Sequence, residues 1–205
     1  MFLKSATNPL IVSLAEIVDQ EIKIVDTIVL ELTMQQRASN ELFDVIERLL
    51  KKHQLEYSEL ERMYVASGPG SYTGARLLVT IVKTIAFLFP QIAVYDVSIL
   101  AVLLQMSMEQ NHEGIANYAV SYARKNKYYF LDEASGVDCL LTTKEVEQIV
   151  GEQACYVNGQ KIDKNDFNIL DLKENLDFVA WASVSQSVED IMLYEPYYLE
   201  EVTIG

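Results

Sequence analysis

The sequence predicts an α/β protein of two lobes, each with a mixed sheet flanked by helices. In the first half, three predicted strands are followed by alternating helices and strands, an order typical of a sheet covered by helices. A polar break at 109–114 separates this half from a second set of strands. Half of the residues are hydrophobic and 22% are charged, enough for a substantial core. We expect lobes at 1–110 and 111–205, with the tail free to pack back on the first lobe.

Three strands open the chain. Apolar and β-branched residues dominate each of them. Asn8 and Pro9 mark the first turn because both residue types favour chain reversal, and Asp19 to Glu21 mark the second. The predicted strands are 2–5, 10–17 and 22–32.

An amphipathic helix is predicted from Ser39, a favourable N-cap, to about His53. Its apolar residues recur at helical spacing with charges between them. The rest of the first lobe is predicted as a strand at 63–67, an apolar helix at 74–89 stopped by Pro90, a strand at 92–97 and a helix at 98–108.

The second lobe begins with strands. They are predicted at 116–123, 127–131 and 137–141, with a hairpin at Lys125-Asn126. Thr142 and Glu145 match a capping box before a short helix that ends at Gly151. The tail is predicted to contain a helix at 177–184 and a final strand at 197–203.

A glycine loop connects the fourth strand to the second helix. Gly68, Gly70 and Gly74 fall within seven positions there, although the chain has only eight glycines. Their spacing is G-x-G-x-x-x-G, which fits neither the P-loop nor the dinucleotide fingerprint. Two interpretations stay open: an anion site at a helix N-terminus, or a tight turn whose glycines permit close packing.

The whole segment is more specific than its spacing. Residues 67–76 read SGPGSYTGAR and closely resemble the G-P-G-S-[FY]-T-G-[VL]-R signature of the TsaB (YeaZ) proteins, in the Gcp-like or M22 glycoprotease-like family. Residues 94–100 (VYDVSIL), 122–129 (YARKNKYY) and 195–199 (EPYYL) are similar, in order, to three weaker family segments. The resemblance therefore spans most of the chain.

This resemblance implies a fold and a function. The fold is the two-lobed actin/Hsp70/sugar-kinase-like (ribonuclease H-like) one. The function is that of a non-catalytic subunit in making threonylcarbamoyladenosine beside the tRNA anticodon. The implied partners are a TsaD-like catalytic subunit and a TsaE-like ATPase, with self-association into a dimer when the chain is alone and tRNA reached only indirectly.

Residues that catalysis would need are replaced. In actin-like ATPases the first hairpin carries a metal-serving Asp, where this chain has Lys4 or Ser5, and Tyr122 replaces the Asp of the second-lobe hairpin. The catalytic relatives bind metal through closely spaced histidines on the first helix, and this chain has none there. Ala38 opens an A-S-N segment where many TsaB proteins have H-S-E. We therefore expect no enzyme activity, cofactor or metal.

The alternative is a stand-alone actin-like ATP-binding phosphotransferase. It requires a metal-binding acid in the first hairpin and an adenosine-binding glycine motif in the second lobe. The only histidines, His53 and His112, lie far apart, and His53 is expected to be solvated surface.

Charge and cysteines bear on partners and compartment. Acidic residues outnumber basic ones, 30 against 16, which argues against direct tRNA binding. Cys139 and Cys155 form no C-x-x-C motif and are expected to pack as small apolar residues in a reducing cytoplasm. We see no signal peptide and no membrane-spanning segment, and we expect a cytoplasmic protein.

Two sets of residues are the candidate sites. The glycine-loop set is Gly68, Gly70, Ser71, Thr73, Gly74 and Arg76. Within it, Arg76 either contacts an anion or partner, or locks the loop through a hydrogen bond or salt bridge. The helices at 38–53 and 75–89 are the candidate partner interface, through the apolar residues Ile46, Leu49, Leu50, Leu78, Ile81, Val82 and Ile85.

Overall fold

The computed structural model contains two compact units. The first unit comprises Met1–Ser98 and Trp181–Tyr197, and the other residues belong to the second. The structure describes residues 1–5, 9–19, 21–31, 38–109, 115–124, 126–136, 138–150, 154–158, 169–171 and 178–199.

Most predicted elements are present within a residue or two of their expected ends. The strands are β1 Phe2–Lys4, β2 Leu10–Val18, β3 Glu21–Leu30, β4 Arg62–Gly68, β5 Ala93–Ser98, β6 Ile115–Arg124, β7 Lys127–Asp132, β8 Asp138–Thr142, β9 Ala154–Asn158, β10 Ile169–Asp171 and β11 Gln186–Ser187. The α-helices are α1 Ala38–Lys52, α2 Tyr72–Leu88, α3 Ile99–Glu109, α4 Thr143–Val150 and α5 Phe178–Ser183, and a 3-10 helix covers Tyr57–Glu59.

The first unit is built on a six-stranded mixed sheet. Its strand order is β11-β5-β4-β1-β2-β3, with β1, β4 and β5 parallel to one another. β2, β3 and β11 pair antiparallel with their neighbours. The predicted α/β class with a mixed sheet is confirmed.

The two faces of this sheet are covered differently. Because side chains alternate along a strand, Leu3 and its neighbour Val65 face the core, to which α1 and α2 contribute. Phe2 and Tyr64 project from the other face, where their rings stack with centroids 4.6 Å apart. Trp181 of α5 meets the Phe2 ring edge-on at 5.9 Å.

The second unit has a five-stranded sheet in the order β10-β9-β6-β7-β8. Its core includes Val120, Tyr128, Phe130 and Val146. The helix α3 contacts β6, β7 and β9, so it belongs to this unit. The compact units consequently divide at Ser98, whereas the sequence placed the boundary near 110, after this helix.

The capping box before α4 is confirmed. Thr142 donates its backbone N–H and its hydroxyl to Glu145 Oε2, both at 2.7 Å, and the Glu145 N–H donates to Thr142 Oγ1 at 3.4 Å. These bonds with Thr142 hold the pKa of the Glu145 carboxyl below its usual range.

The tail differs from its prediction. Of the predicted strand at 197–203, residues 197–199 form no strand, and 200–203 lie outside the described residues. Conversely, the sequence analysis missed β9, β10 and β11, strands of two to five residues too short for a periodic pattern.

Candidate functional site

The glycine loop joins the carboxyl end of β4 to α2. Ser71 is the N-cap of α2, since its Oγ accepts the Gly74 N–H at 3.4 Å and its carbonyl accepts the Ala75 N–H at 2.8 Å. Gly74 lies buried in the first helical turn, and its carbonyl accepts the Ser5 hydroxyl at 3.1 Å. The loop is therefore fastened to the end of β1.

Close approach explains why Gly68 is a glycine. A Cβ placed there would strike the carbonyl oxygen of Tyr197 and lie 3.2 Å from its carbonyl carbon. Two segments of the sequence motif, the glycine loop and the tail segment 195–199, thus meet within the first unit. This contact was not predictable from the sequence, because nothing in the local spacing connects positions 68 and 197.

Positive φ is not the reason for these glycines. Of the described glycines, Gly136 has a positive φ, at +64°. Gly74 is helical, and Gly70 lies outside the left-handed region. The closeness of other atoms, rather than left-handed backbone, therefore constrains Gly68.

Residues 186–197, which we call the strap, run from β11 to the glycine loop. Lys83 of α2 donates its ammonium to the carbonyls of Met192 and Tyr194, at 2.7 and 3.1 Å. The Tyr194 hydroxyl donates to Asp96 Oδ1 at 2.7 Å. Burial, together with the nearby Asp96, raises the pKa of Tyr194. These bonds fix the strap beside α2.

Lys4 lies at the end of β1, where an actin-like ATPase would place its metal-serving acid. Its side chain is buried, with 3% exposed, and its Nζ donates to the carbonyl of Pro9 at 3.1 Å. Burial lowers the pKa of Lys4 to about 8, and Glu31 opposes that shift. A buried amine cannot supply the oxygen ligand that a hard cation prefers.

His53, predicted as solvated surface, has 26% of its side chain exposed and is paired with an acid. Its Nε2 lies 2.8 Å from Asp26 Oδ2, and Lys52 Nζ lies 2.6 Å from the same oxygen. Hydrogen bonds from Lys52 and His53 lower the pKa of Asp26 to about 2. The cluster joins β3 to the end of α1 and borders a cleft of about 490 Å³ at the opposite end of β1 from Lys4.

The interface candidates lie inside the first unit. Six of them are no more than 5% exposed and belong to its core: Ile46, Leu49, Leu50, Leu78, Val82 and Ile85. Ile81 is half-buried against that core. These side chains pack on the sheet, so a partner of these helices would meet other residues on their outer faces.

The outer face of α2 is nearly free of charge. Its exposed residues are Tyr72, Thr73, Arg76, Thr80, Thr84, Phe87 and Leu88. The guanidinium of Arg76 lies over the Tyr72 ring, 4.5 Å from its centroid. The hydroxyls of Thr80 and Thr84 donate to helix carbonyls one turn earlier, at 2.7 and 2.9 Å, which leaves this face weakly polar.

Comparison with known proteins places these features in a family. The family model described as TsaD, tRNA N6-adenosine threonylcarbamoyltransferase, matches residues 26–173, well over half of the chain. The chain belongs to the TsaD family. This membership supports a role in tRNA modification and confirms the family recognised from the glycine-loop signature.

Two solved structures from Pseudomonas aeruginosa have the same fold. One is YeaZ and the other an uncharacterized protein with similarity to peptidase YEAZ, each 21% identical with a TM-score of 0.63. Each match covers 97% of this chain and 98% of the other. The uncharacterized protein MG208 of Mycoplasma genitalium is 26% identical over 161 residues, which is 76% of this chain and 74% of that protein.

The TsaD family match includes the glycine loop and Tyr122 but not Lys4 or the strap. Tyr122, which the sequence resemblance aligned with a family Asp, is half-buried and its ring meets Tyr128 edge-on at 5.9 Å. Cys139 is buried as predicted, with its thiol pKa raised by burial, while the side chain of Cys155 and all of His112 lie outside the described residues.

Metal-binding clusters and membrane-spanning helices are both absent from the part of the chain that the structure describes. No group of three or more His, Cys, Asp or Glu side chains there could hold a metal ion. No helix there is long and apolar enough to cross a membrane.

Proposed function

We propose that this member of the TsaD family is a non-catalytic subunit that supports a TsaD-like catalytic partner, together with a TsaE-like ATPase, in threonylcarbamoyladenosine modification of tRNA. The observation that carries the proposal is Lys4. A nucleotide-hydrolysing relative needs an acid at this point of the first hairpin, and here a buried lysine is bonded to a backbone carbonyl.

Charge supports an indirect relation to tRNA. The net charge of −14 opposes binding to a phosphate backbone, which relies on clustered lysine and arginine. In this proposal the catalytic partner contacts the tRNA, and this chain contacts the partner.

The outer face of α2 is the proposed partner surface. One charged group, Arg76, lies on that exposed face, although the whole chain carries 46 acidic and basic residues. Depletion of charge is typical of the centre of protein interfaces. The threonines of this face, with hydroxyls bonded to their own helix, would let a partner helix approach closely. Phe43, on α1, which contacts α2, is a further exposed apolar side chain, with 48% exposed.

Reconstitution tests the function. The purified chain alone is expected to transfer no threonylcarbamoyl group and to hydrolyse no ATP. Adding the TsaD-like and TsaE-like proteins of the same host, with a threonylcarbamoyl donor and tRNA, is expected to give modified tRNA, detected by mass spectrometry of its nucleosides. Omitting this chain should remove most of the product. Full product without it would contradict the proposal.

Charge insertion tests the surface. Thr80→Glu and Thr84→Glu are expected to weaken binding of the TsaD-like subunit by at least about tenfold, because each would bury an unpaired carboxylate. Gln54→Glu, an exposed change beyond α1, adds the same charge and is the matched control. Calorimetry measures binding, and thermal melting checks that the variants fold. Equal affinity of all three variants and the parent would show that α2 is not the contact.

The rival function, a stand-alone phosphotransferase, makes the opposite prediction. Steady-state ATP hydrolysis by the chain alone, abolished by Lys4→Ala and retained in Gln54→Glu, would establish it and refute the non-catalytic role.

A further inference from the structure

We propose that Met192 and Leu193 of the strap, together with Phe87 of α2, form a second docking surface for a partner protein. The partner presents an apolar pocket bordered by lysine and arginine. We call residues 190–194 the Met-Leu turn. This surface lies beside the side of α2 that carries Lys83, and through Phe87 it adjoins the outer face that carries Thr80 and Thr84.

The backbone of the Met-Leu turn is held in place from several sides. Asp190 accepts the Met192 N–H on its carboxylate at 2.8 Å and the Leu193 N–H on its carbonyl at 3.1 Å. Lys83 binds two further carbonyls of the turn. Ile191 packs on the core and Tyr194 is buried. Because the anchors on both sides are fixed, the side chains between them are preorganised for binding.

The two side chains that this backbone presents are large, apolar and exposed. Met192 is 61% and Leu193 is 76% exposed, at a position where turns favour glycine, proline, asparagine, aspartate and serine. Phe87 is 68% exposed and lies one helical turn beyond Lys83, on the same side of α2. An apolar group of this size on a fixed turn has the features of an interface anchor.

The charges around the turn identify the kind of partner. Glu189, Asp190 and Glu195 flank the apolar tip, and residues 178–199 include no lysine or arginine. The cation that reaches the turn, Lys83, is bonded to two of its backbone carbonyls, so the acids outnumber it. A second copy of this chain, docked through the same turn, would place its carboxylates against these carboxylates. Nucleic acid and anionic membranes are also negatively charged and would be repelled. A protein surface with basic residues around an apolar pocket complements both features.

Site-specific cross-linking identifies the occupant. A photo-reactive amino acid is placed at position 193 of the full chain in its host, with position 54, which is also exposed, as the control. We expect a cross-link to another protein, at a segment that combines apolar residues with lysine or arginine. A cross-link only to a second copy, or to a segment without basic residues, would overturn the proposal. So would a yield no higher than at position 54.

Binding measurements complete the test. The cross-linked segment, made as a synthetic peptide, is titrated against the purified full chain. Met192→Ser and Leu193→Ser are each expected to weaken binding at least about tenfold, as for interface anchors. Val179→Ser, at a site 59% exposed on α5, is expected to change it less than about twofold. Glu189→Gln is expected to reduce the salt dependence. Affinity unchanged in both Met-Leu turn variants would refute the surface.

Discussion

Replacing Gly68 by alanine is expected to destabilise the first unit through one atomic contact. The added Cβ would strike the carbonyl oxygen of Tyr197 and also lie 3.2 Å from its carbonyl carbon. Because the obstacle is backbone, no side-chain rotation relieves it. Either β4 or the strap must shift.

The packing of the strap sets the size of the effect. Releasing it would break at least four hydrogen bonds: two from Lys83, one from Tyr194 to Asp96, and one from the Val188 N–H to the Val94 carbonyl. At about 0.5–1.5 kcal/mol each, their loss is at least comparable to the usual overpacking cost of about 1–3 kcal/mol. A small shift that keeps the bonds is therefore expected, and the free energy of unfolding should fall by about 1–3 kcal/mol. For a chain of this size the melting temperature then falls by about 2–12 °C.

The fluorescence of the single tryptophan is a suitable assay. Trp181 belongs to the first unit and contacts Phe2, so its emission follows unfolding of this unit. Thermal and urea unfolding of Gly68→Ala and Gly68→Asn give the free energies. Asparagine, which is larger, is expected to be worse than alanine at this site.

Gly136 supplies a control site at which asparagine should be less destabilising than alanine, the reverse of the order expected at Gly68. Its φ is +64° and nothing lies within 4 Å of the point where a Cβ would stand, so backbone conformation rather than space limits it. Asparagine tolerates this left-handed conformation better than alanine does, so Gly136→Asn should be the milder change. The close-approach explanation would be refuted if the alanine and asparagine variants ranked in the same order of stability at both sites. It would also be refuted if the Gly68→Ala protein were as stable as the parent.

Two further predictions concern pH. Between about pH 8 and the ordinary lysine pKa of about 10.4, unfolded Lys4 keeps a proton that the folded side chain has lost, so stability should rise with pH by up to about 3 kcal/mol. Lys4→Met should flatten that rise, as measured by urea unfolding at pH 7.5 and 10. If the free energy of unfolding rose equally with pH in the variant and the parent, Lys4 would not be its cause. Asp26 has the same sign in a lower pH range: its depressed pKa means that its contribution is present above about pH 4 and is lost as the pH falls towards 2. Asp26→Asn should thus melt below the parent near pH 7, with the difference closing in acid, and a difference independent of pH would exclude the ion pair as its cause.

The local residue pattern predicted most of the helices and strands, because each produces a recognisable pattern within a few residues. The capping box at Thr142 and Glu145 is an example, since both partners lie within one helical turn. The apolar spacing of α1 likewise marked Ile46 and Leu49 correctly as a helix face. That spacing does not show which part of the protein covers the face. In the structure Ile46 and Leu49 are core residues rather than partner contacts.

The candidate site was predictable only in part. The glycine-loop signature located the loop and the family, because a string of ten residues is specific. The reason for Gly68 was missed, since its constraint comes from Tyr197, and no periodicity connects them. The pairing of His53 with Asp26 was missed for the same reason, because it joins α1 to β3.

The sequence by itself determined the α/β class, the order of its main elements, the acidic charge, and the presence of Lys4 and Tyr122 at positions where the family resemblance leads one to expect acids. These depend on residue identity, short-range periodicity and a continuous motif. Only the tertiary structure decided that Lys4 is buried, that α3 belongs with the second sheet, and that the strap returns to the glycine loop. Those facts depend on contacts between residues far apart in the chain, whose energies come from burial and close packing that local sequence does not encode.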